Sequence, residues 1–361
     1  MSLLPTKRKP IEALYAGGGY SFSNNLTNND NLFIDKDNDT LTGYRILIGD
    51  KSDYYMGASF NISPMVSLYA GYNHLQIQKK INFQYNEFLP VLDSVQMEDW
   101  GVQNFYSMDT TLHQQSFNET INQSEIYLNS RFQFENSWAI TLFSNLVMVS
   151  SFNIDIDTIS KSVPYTIDTF TYNENQFTKK DSSFFNYVIG LNIEKDYNNI
   201  TYSLTGTISA LNGLNQNQFG ASAFYYLNPY ATYYGKTGVT WFVQKWESGW
   251  KENRLIFNQK VGGKLYRNIW GEAEITYGNL NNSNTNNAFI IYNQADGINL
   301  KTGFTLNWYI GKHFELSLLY RYTTYEGLFF EDIGEDIDAE YNTNTFNYQT
   351  QSLFGGLKWK F

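Results

Sequence analysis

Hydrophobic and polar residues alternate with a period of two along most of this chain. Between residues 296 and 310 the apolar set is Ile298, Leu300, Phe304, Leu306, Trp308 and Ile310, and the polar set is Asn299, Lys301, Thr305 and Asn307. Between 121 and 134, Ile126, Leu128, Phe132 and Phe134 oppose Glu125, Asn129, Arg131 and Gln133. Because successive side chains of a strand point to opposite faces, the pattern predicts strands with one apolar and one polar face.

Short turn sequences separate these segments and allow the strands to be counted. The turns are Ser63-Pro64, Glu135-Asn136-Ser137, Asp196 to Asn199, Asn228-Pro229, Arg267-Asn268 and Gly311-Lys312. Each turn predicts a tight hairpin, so six turns and two chain ends predict seven hairpins. The expected strands are 12–24, 53–62, 65–82, 121–134, 138–156, 183–195, 199–211, 217–227, 230–247, 251–266, 269–280, 296–310, 313–327 and 344–361. The count is about fourteen, with twelve or sixteen as alternatives, because 41–50 is either a further strand or an extension of the second.

These strands predict an all-β protein, a single transmembrane antiparallel up-and-down barrel that spans 1–361. No apolar run approaches the roughly 18 residues of a spanning helix, and a non-helical chain can cross a bilayer only as a closed barrel. Aromatic residues make up 18% of the chain, which agrees with girdles at two membrane interfaces. Residues 1–11 are expected to form a short periplasmic segment, and 25–52, 84–120, 157–182 and 328–343 to form long outer loops. A soluble β-sandwich or lectin is the alternative.

Charge and cysteine content exclude several classes of protein. The formal net charge is −10, and no stripe of Lys and Arg is present to neutralise phosphates, so a nucleic-acid partner is not expected. The chain has no cysteine, which rules out disulfides, thiolate metal sites and a lipidated Cys. No secretory signal is recognisable after Lys7-Arg8-Lys9, so export is inferred rather than observed.

The last strand carries the most specific sequence signal. Leu353, Leu357, Trp359 and the terminal Phe361 share one face, and Lys358 and Lys360 take the other. This ending resembles that of outer-membrane β-barrel proteins of Gram-negative bacteria. The resemblance implies a multi-pass barrel in the cell outer membrane, surrounded by lipid and lipopolysaccharide. It also implies that Leu357, Trp359 and Phe361 form the signal that the barrel-assembly machinery recognises. The Asn-rich and Tyr-rich loops resemble barrels of the Bacteroidota.

The predicted strand number is similar to that of the FadL-like family of hydrophobic-substrate channels. That family carries an amino-terminal hatch in the lumen, whereas only about eleven residues precede the first predicted strand here. We therefore expect a barrel without a separate plug.

Alternation places charged residues of both signs on the lumenal face. They are Glu125, Arg131, Lys236, Lys260, Lys264, Glu272, Glu274, Lys301, Glu315 and Arg321. If Leu265 lies beside Ile269, Lys260 falls opposite Glu274 and the two strands share lumenal ion pairs. These charges either brace a solvated wall or line a polar pathway that tunes which solutes pass.

Acidic segments lie in the predicted outer loops. No Lys or Arg occurs between Ile81 and Ser130, and this aromatic, acidic segment could fold into the barrel mouth or bind a partner. Two other clusters have carboxylates at spacings that Ca²⁺ could use, with ordinary solvated acidity as the alternative. Their residues are Asp35, Asp37 and Asp39 in one cluster, and Asp332, Asp336 and Asp338 in the other.

The sequence favours a channel for passive passage of small polar solutes. The alternative is a non-conducting accessory or docking subunit of an outer-membrane secretion, uptake or barrel-assembly complex, with protein partners. We do not expect a cofactor other than Ca²⁺, and we do not expect an enzyme. The chain has three histidines, and only His113 has acid and hydroxyl neighbours, Asp109 and Ser116. Loop spacing does not establish a catalytic triad.

Overall fold

A computed structural model gives the fold of the chain and describes residues 10–29, 43–98, 101–165, 168–246, 248–293, 296–331 and 342–361. Within these residues, fourteen antiparallel strands close into a barrel. The barrel strands are β1 (Ile11–Ser23), β2 (Gly43–Ser63), β3 (Val66–Glu98), β4 (Gly101–Phe134), β5 (Trp138–Tyr165), β6 (Asp168–Tyr197), β7 (Ile200–Leu211), β8 (Leu214–Tyr226), β9 (Tyr233–Lys245), β10 (Lys251–Tyr266), β11 (Ile269–Tyr277), β14 (Gly297–Ile310), β15 (Phe314–Glu331) and β16 (Asn342–Lys360).

Three smaller elements lie in the connections. Strands β12 (Asn284–Thr285) and β13 (Ile290–Ile291) form a separate two-stranded sheet between β11 and β14. A four-residue helix, α1 (Asn25–Asn28), follows β1, and a 3₁₀ turn (Glu135–Ser137) joins β4 to β5. No described helix is long and apolar enough to cross a membrane.

The barrel closes where the first strand meets the last. Gly17 pairs with Gly356 and Leu14 with Trp359, while the other edge of β1 pairs with β2. Around the ring the other strands pair with their neighbours in the order of the chain, apart from the excursion of β12 and β13. The end of β15 also pairs with the start of β2, with Phe329 opposite Arg45. The predicted fourteen-stranded up-and-down barrel is confirmed.

The predicted tight turns lie together at one end of the barrel, which we call the short-turn end. Asn136, Asn198 and Gly311 have φ angles of 57°, 53° and 62°, in the left-handed region that asparagine and glycine adopt most easily. The opposite end, which we call the long-connection end, carries the longer extensions.

Two predicted loops are in fact paired strands. The ladder between β3 and β4 continues to Glu98 opposite Gly101, and the ladder between β5 and β6 continues to Tyr165 opposite Asp168. The described parts of segments 84–120 and 157–182 are therefore long extensions of paired strands rather than irregular loops. The sequence prediction failed there because alternation is weaker where neither face meets lipid. Residues 43–50 belong to β2, so 41–50 is not a separate strand in its described part.

The outer face of the barrel is apolar, as a lipid-facing surface is. Exposed side chains alternate along each wall strand, for example Leu353, Leu357 and Trp359 on β16, or Leu255, Phe257 and Val261 on β10. Ile298 departs from the predicted outward face, since it is 1% exposed inside the barrel. A register shift between Ile298 and Leu300 reverses the alternation at that point.

The buried core lies inside the barrel. Tyr127, Phe143, Val188, Leu211 and Ala288 form one cluster. A second cluster joins Ile48, Ile77, Ile256, Leu280, Ile298, Tyr325 and Tyr348. Since Ala288 and Leu280 belong to the connection between β11 and β14, this connection is part of both cores.

Candidate functional site: a lumen divided by a hairpin

The connection between β11 and β14 folds into the lumen. We call residues 278–293, which include β12 and β13, the lumen hairpin. At its base the backbone N–H groups of Gly278 and Leu280 donate to the carbonyls of Asn299 and Ile298, at 3.1 and 2.9 Å. Leu280, Ser283 and Ala288 have no exposed surface. The hairpin is therefore enclosed by the barrel instead of standing above it.

The tip of the hairpin contacts the opposite wall. The side-chain amide of Asn145 on β5 donates to the carbonyl oxygen of Ala288 at 2.9 Å. The Phe289 ring lies edge-on to Tyr127 on β4, with ring centroids 5.3 Å apart, and also contacts Tyr69 on β3. In the ring of fourteen strands β5 is seven places from β14, and β4 is seven from β11. The hairpin thus crosses the whole lumen.

Asparagine residues build the turn at the tip. Asn286, Asn287 and Ala288 have φ angles of 52°, 55° and 61°, and asparagine adopts this left-handed conformation more easily than most residues. Phe289, Ile290, Ile291 and Tyr292 follow at once. The tip therefore turns the chain sharply and places an apolar segment against the lumen wall.

Amide side chains hold one flank of the hairpin to strands β7–β9 and their connections. Asn282 donates to Gln244 at 3.1 Å and accepts from Asn212 at 2.8 Å. Asn284 contacts Gln218 through its backbone N–H and Thr207 through its side chain, both at 3.3 Å. These bonds satisfy hairpin polar groups that would be costly to bury alone.

A ladder of alternating charges runs along the wall at the base of the hairpin. Lys260 lies 3.1 Å from Glu272 and 3.9 Å from Glu274, and Lys301 lies 3.3 Å from Glu274. Lys301 also donates to the Tyr292 hydroxyl at 2.8 Å. The pairing therefore joins β10, β11, β14 and the hairpin in one network.

Asp296, just before β14, connects the end of the β11–β14 connection to β16. It accepts a hydrogen bond from the Tyr348 hydroxyl.

On one side of the hairpin lies a cavity of about 370 Å³, which we call the aromatic chamber. Strands β1–β4 and β14–β16 form its wall, and the hairpin closes it. Aromatic lining comes from Tyr55, Tyr69, Tyr127, Phe289, Tyr292 and Phe354, and charged lining from Lys51, Asp53, Glu125, Lys301 and Arg321.

Glycine residues shape this chamber by letting tyrosine rings lie flat against the wall. A Cβ at Gly17 would come within 2.6 Å of the Tyr55 ring, and one at Gly71 within 2.9 Å of the Tyr69 ring. Gly57 and Gly356 are covered by the same two rings. The rings therefore present their faces to the cavity without filling it.

On the other flank lies a polar cavity of about 470 Å³, which we call the polar chamber. Its lining includes Glu194, Lys236, Lys260, Glu274, Thr207 and hairpin residues Asn284 to Asn287. Lys301 lines both chambers. The hairpin thus separates two compartments of different chemistry.

The aliphatic part of the second core cluster lies between these walls. Ile48 and Ile77 come from β2 and β3, whereas Ile256 and Ile298 come from β10 and β14, and Leu280 of the hairpin packs between them. Side chains from opposite walls therefore meet inside the barrel. This cluster narrows the lumen beyond what the hairpin backbone does.

The sequence-predicted lumenal charges divide into four groups. Glu125, Lys301 and Arg321 line the aromatic chamber, whereas Lys236, Lys260, Glu274 and again Lys301 line the polar chamber. Glu272 pairs with Lys260, Glu315 with Lys360 at 3.1 Å, and Arg131 with Glu194. Lys264 is exposed near the short-turn end. Lys260 lies opposite Glu274, as the turn had suggested.

The sequence-predicted Ca²⁺ ligands lie outside the described residues, so their prediction is neither supported nor contradicted. These residues are Asp35, Asp37, Asp39, Asp332, Asp336 and Asp338. Among the described residues no group of three acidic or histidine side chains could hold a metal ion.

The sequence pattern did not predict that the lumen hairpin enters the barrel. It indicated segment 84–120 as the one that could enter the mouth, but that segment stays paired in β3 and β4. Two signals could have indicated the hairpin: the asparagine-rich run from Asn281 to Asn287, and the apolar run Phe289-Ile290-Ile291-Tyr292. An apolar run in a connection needs burial, and the lumen provides it.

Comparisons with known proteins agree on the fold alone. No family model matches the chain, and no curated protein sequence matches it. A Pseudomonas aeruginosa FadL homologue has a similar structure, with a TM-score of 0.52 and 9% identity over 98% of this chain and 90% of that one. The P. putida toluene transporter TodX also has a TM-score of 0.52, with 6% identity over 98% and 91%.

Proposed function

We propose that this chain is an integral outer-membrane barrel that passes small polar solutes passively, with the lumen hairpin as its constriction. In this proposal the hairpin, rather than a plug, limits passage through the barrel, and the barrel is of the Bacteroidota type. The observation that carries the proposal is the hairpin that crosses from β11 and β14 to Asn145 on the opposite wall. A loop folded inward leaves side compartments in a wide barrel and limits the size of what passes.

The outer surface supports a location in the outer membrane. Its alternating apolar side chains match the lipid-facing band of such barrels, and lipid and lipopolysaccharide would surround it. The terminal strand supports assembly by the barrel-assembly machinery through Leu357, Trp359 and Phe361, which lie on this outer side. The fold shared with a protein described as a toluene transporter agrees with a transport role.

The side chains of the polar chamber support the passage of polar solutes along that flank of the hairpin. In the polar chamber the wall offers Lys236, Thr207 and amide groups that can exchange hydrogen bonds with a passing solute. Most of the charges nearby are already paired in the ladder of Lys260, Glu274 and Lys301. We therefore expect weak charge selectivity and a limit set mainly by size.

A second candidate function rests on the aliphatic cluster. Ile48, Ile77, Ile256 and Ile298 meet inside the barrel and obstruct it. An obstructed barrel favours a non-conducting accessory or docking subunit of an outer-membrane secretion, uptake or barrel-assembly complex. This candidate predicts stable protein partners rather than solute flux.

Liposome swelling distinguishes the two candidates. Vesicles that contain the purified chain would be diluted into isosmotic solutions of neutral solutes of increasing size, from glycine to disaccharides. The channel proposal expects swelling with the smallest solutes and a sharp fall with size. Vesicles with the chain that swell no faster than empty vesicles, for every solute, would contradict it, and co-purification from outer membranes would then test the accessory function.

A further inference from the structure

The aromatic chamber contains two opposite charges that do not reach each other. Asp53 on β2 lies beside Gly19 of β1, and Arg321 on β15 lies beside Ser352 of β16. Two strands, β1 and β16, separate them along the wall. Gly17, Gly19 and Gly356 lie on this stretch of wall. The rings of Tyr55 and Phe354 lie over these glycines, so the wall between the two charges presents aromatic rings.

Both charged side chains have unmet hydrogen-bonding capacity. Asp53 Oδ1 and Arg321 Nε are buried and have no hydrogen-bond partner among the described residues. The Arg321 guanidinium carbon lies 5.3 Å from the centroid of the Phe354 ring. Buried charges are normally paired or hydrogen-bonded because desolvation is costly. Each of the two side chains therefore keeps hydrogen-bonding capacity that a group bound between them could meet.

The other charges of the chamber already have partners. Glu125 accepts from Gln123 at 2.7 Å and from Asn145 at 3.0 Å. Lys301 pairs with Glu274 and Tyr292, and Lys51 stands over the Tyr325 ring. Asp53 accepts a backbone hydrogen bond from Gly19, yet among the charged residues of the chamber only Asp53 and Arg321 keep a buried atom without a partner in the described structure.

The chemistry of the pair and of its surroundings specifies the ligand class. Arginine binds a carboxylate through two parallel hydrogen bonds, and an ammonium group suits Asp53 and the faces of tyrosine rings. Tyr55, Tyr69, Tyr127 and Phe289 would contact an apolar body. A volume of about 370 Å³ lies at the small end of the range for small-molecule sites.

We propose that the aromatic chamber binds a small zwitterion with an apolar body, in the class of aromatic and branched amino acids. The carboxylate contacts Arg321 and the ammonium contacts Asp53. This inference rests on the proposed channel function for its biological meaning and names its solute class. Binding itself can be measured on the purified chain in detergent, without a membrane or solute flux.

The test uses three probes with the same phenyl body. L-phenylalanine carries both charges, phenethylamine only the ammonium, and 3-phenylpropanoate only the carboxylate. Calorimetric titration is expected to show L-phenylalanine binding about tenfold or more tighter than either single-charge probe, because each would lose one charge-assisted hydrogen-bonded contact. Equal affinity for the three probes, or no L-phenylalanine binding at millimolar concentration, would overturn the proposal.

Two variants and a control assign the contacts. Arg321→Met should remove the preference for L-phenylalanine over phenethylamine, and Asp53→Asn the preference over 3-phenylpropanoate. Lys264→Met is the control, since Lys264 is exposed near the short-turn end outside both chambers. A failure of swelling with intact L-phenylalanine binding would reject the channel function alone, and flux without binding would reject the zwitterion site alone.

Discussion

The side-chain amide of Asn145 donates a hydrogen bond of 2.9 Å to the carbonyl oxygen of Ala288. This bond joins the wall strand β5 to the tip of a hairpin that begins at β11, on the far side of the barrel. Because it spans the lumen, it fixes how far the hairpin reaches and separates the aromatic chamber from the polar chamber.

Cysteine cross-linking should detect the hairpin against the opposite wall. The chain has no native cysteine, so an engineered pair reports only its own proximity. Phe289→Cys combined with Tyr127→Cys should be linked in high yield by a short bismaleimide, because the two rings are 5.3 Å apart. Phe289→Cys with Leu128→Cys is the control, since Leu128 is exposed on the outer face. Equal yields, measured by mobility on gels, would contradict the placement of the hairpin.

Loss of Lys301 should destabilise the barrel. Its side chain is 4% exposed and pairs with Glu274, whose side chain is 17% exposed, so Lys301→Met leaves a partly buried carboxylate whose remaining ion-pair partner is the more distant Lys260. We expect a loss of about 2 kcal/mol in the free energy of unfolding. Urea unfolding from lipid vesicles, followed by tryptophan fluorescence, measures it.

Neutralising Glu274 in the same chain gives the matching control. The double variant Lys301→Met with Glu274→Gln should recover much of the loss, because no unmatched buried charge remains. If the double variant is as unstable as the sum of the two single variants, the ion pair does not explain the effect.

Two adjacent glycines should respond differently to alanine. A Cβ at Gly356 would collide with the Tyr55 hydroxyl, whereas a Cβ at Gly355 meets nothing within 4 Å. Gly356→Ala should therefore cost about 1–3 kcal/mol by overpacking, and Gly355→Ala far less. The urea midpoint of each variant measures the difference.

Removing the clashing hydroxyl should relieve the strain. Tyr55→Phe combined with Gly356→Ala should restore most of the stability, because the next nearest ring atom lies 3.6 Å away. Failure of this rescue would show that the flat position of Tyr55 against the wall does not depend on Gly356.

The terminal aromatic residue should matter for assembly more than for stability. Phe361 stacks on Trp359 with ring centroids 4.8 Å apart, and its backbone N–H donates to the backbone carbonyl oxygen of Glu12 at 3.1 Å. We expect Phe361→Ser to lower the amount of folded barrel in outer membranes several-fold while refolding in detergent stays near normal. Heat-modifiable mobility on gels measures the folded fraction. Lys358→Gln, on the lumenal face of the same strand, should not lower it.

The barrel could be predicted well from the sequence because successive residues of each strand face two different environments in turn. Lipid outside and polar groups inside impose a period of two, so turns such as Asn136 and Gly311 and the pairing of Lys260 with Glu274 could be anticipated. The position of the lumen hairpin could not be anticipated, because it depends on contacts between segments that are distant in the sequence. The bond of Asn145 to Ala288 and the packing of Ile48 near Ile256 join residues that no local pattern relates.

Single-channel conductance with and without the lumen hairpin tests the central claim most directly. In the variant, residues 279–295 are replaced by a short Gly-Asn turn that joins β11 to β14, and the folded state is verified by heat-modifiable mobility. A control variant shortens the β3–β4 extension by removing 88–110. We predict small or rare openings for the intact chain and the control, and a large steady conductance for the hairpin variant. A folded hairpin variant that conducts no more than the intact chain would contradict the account.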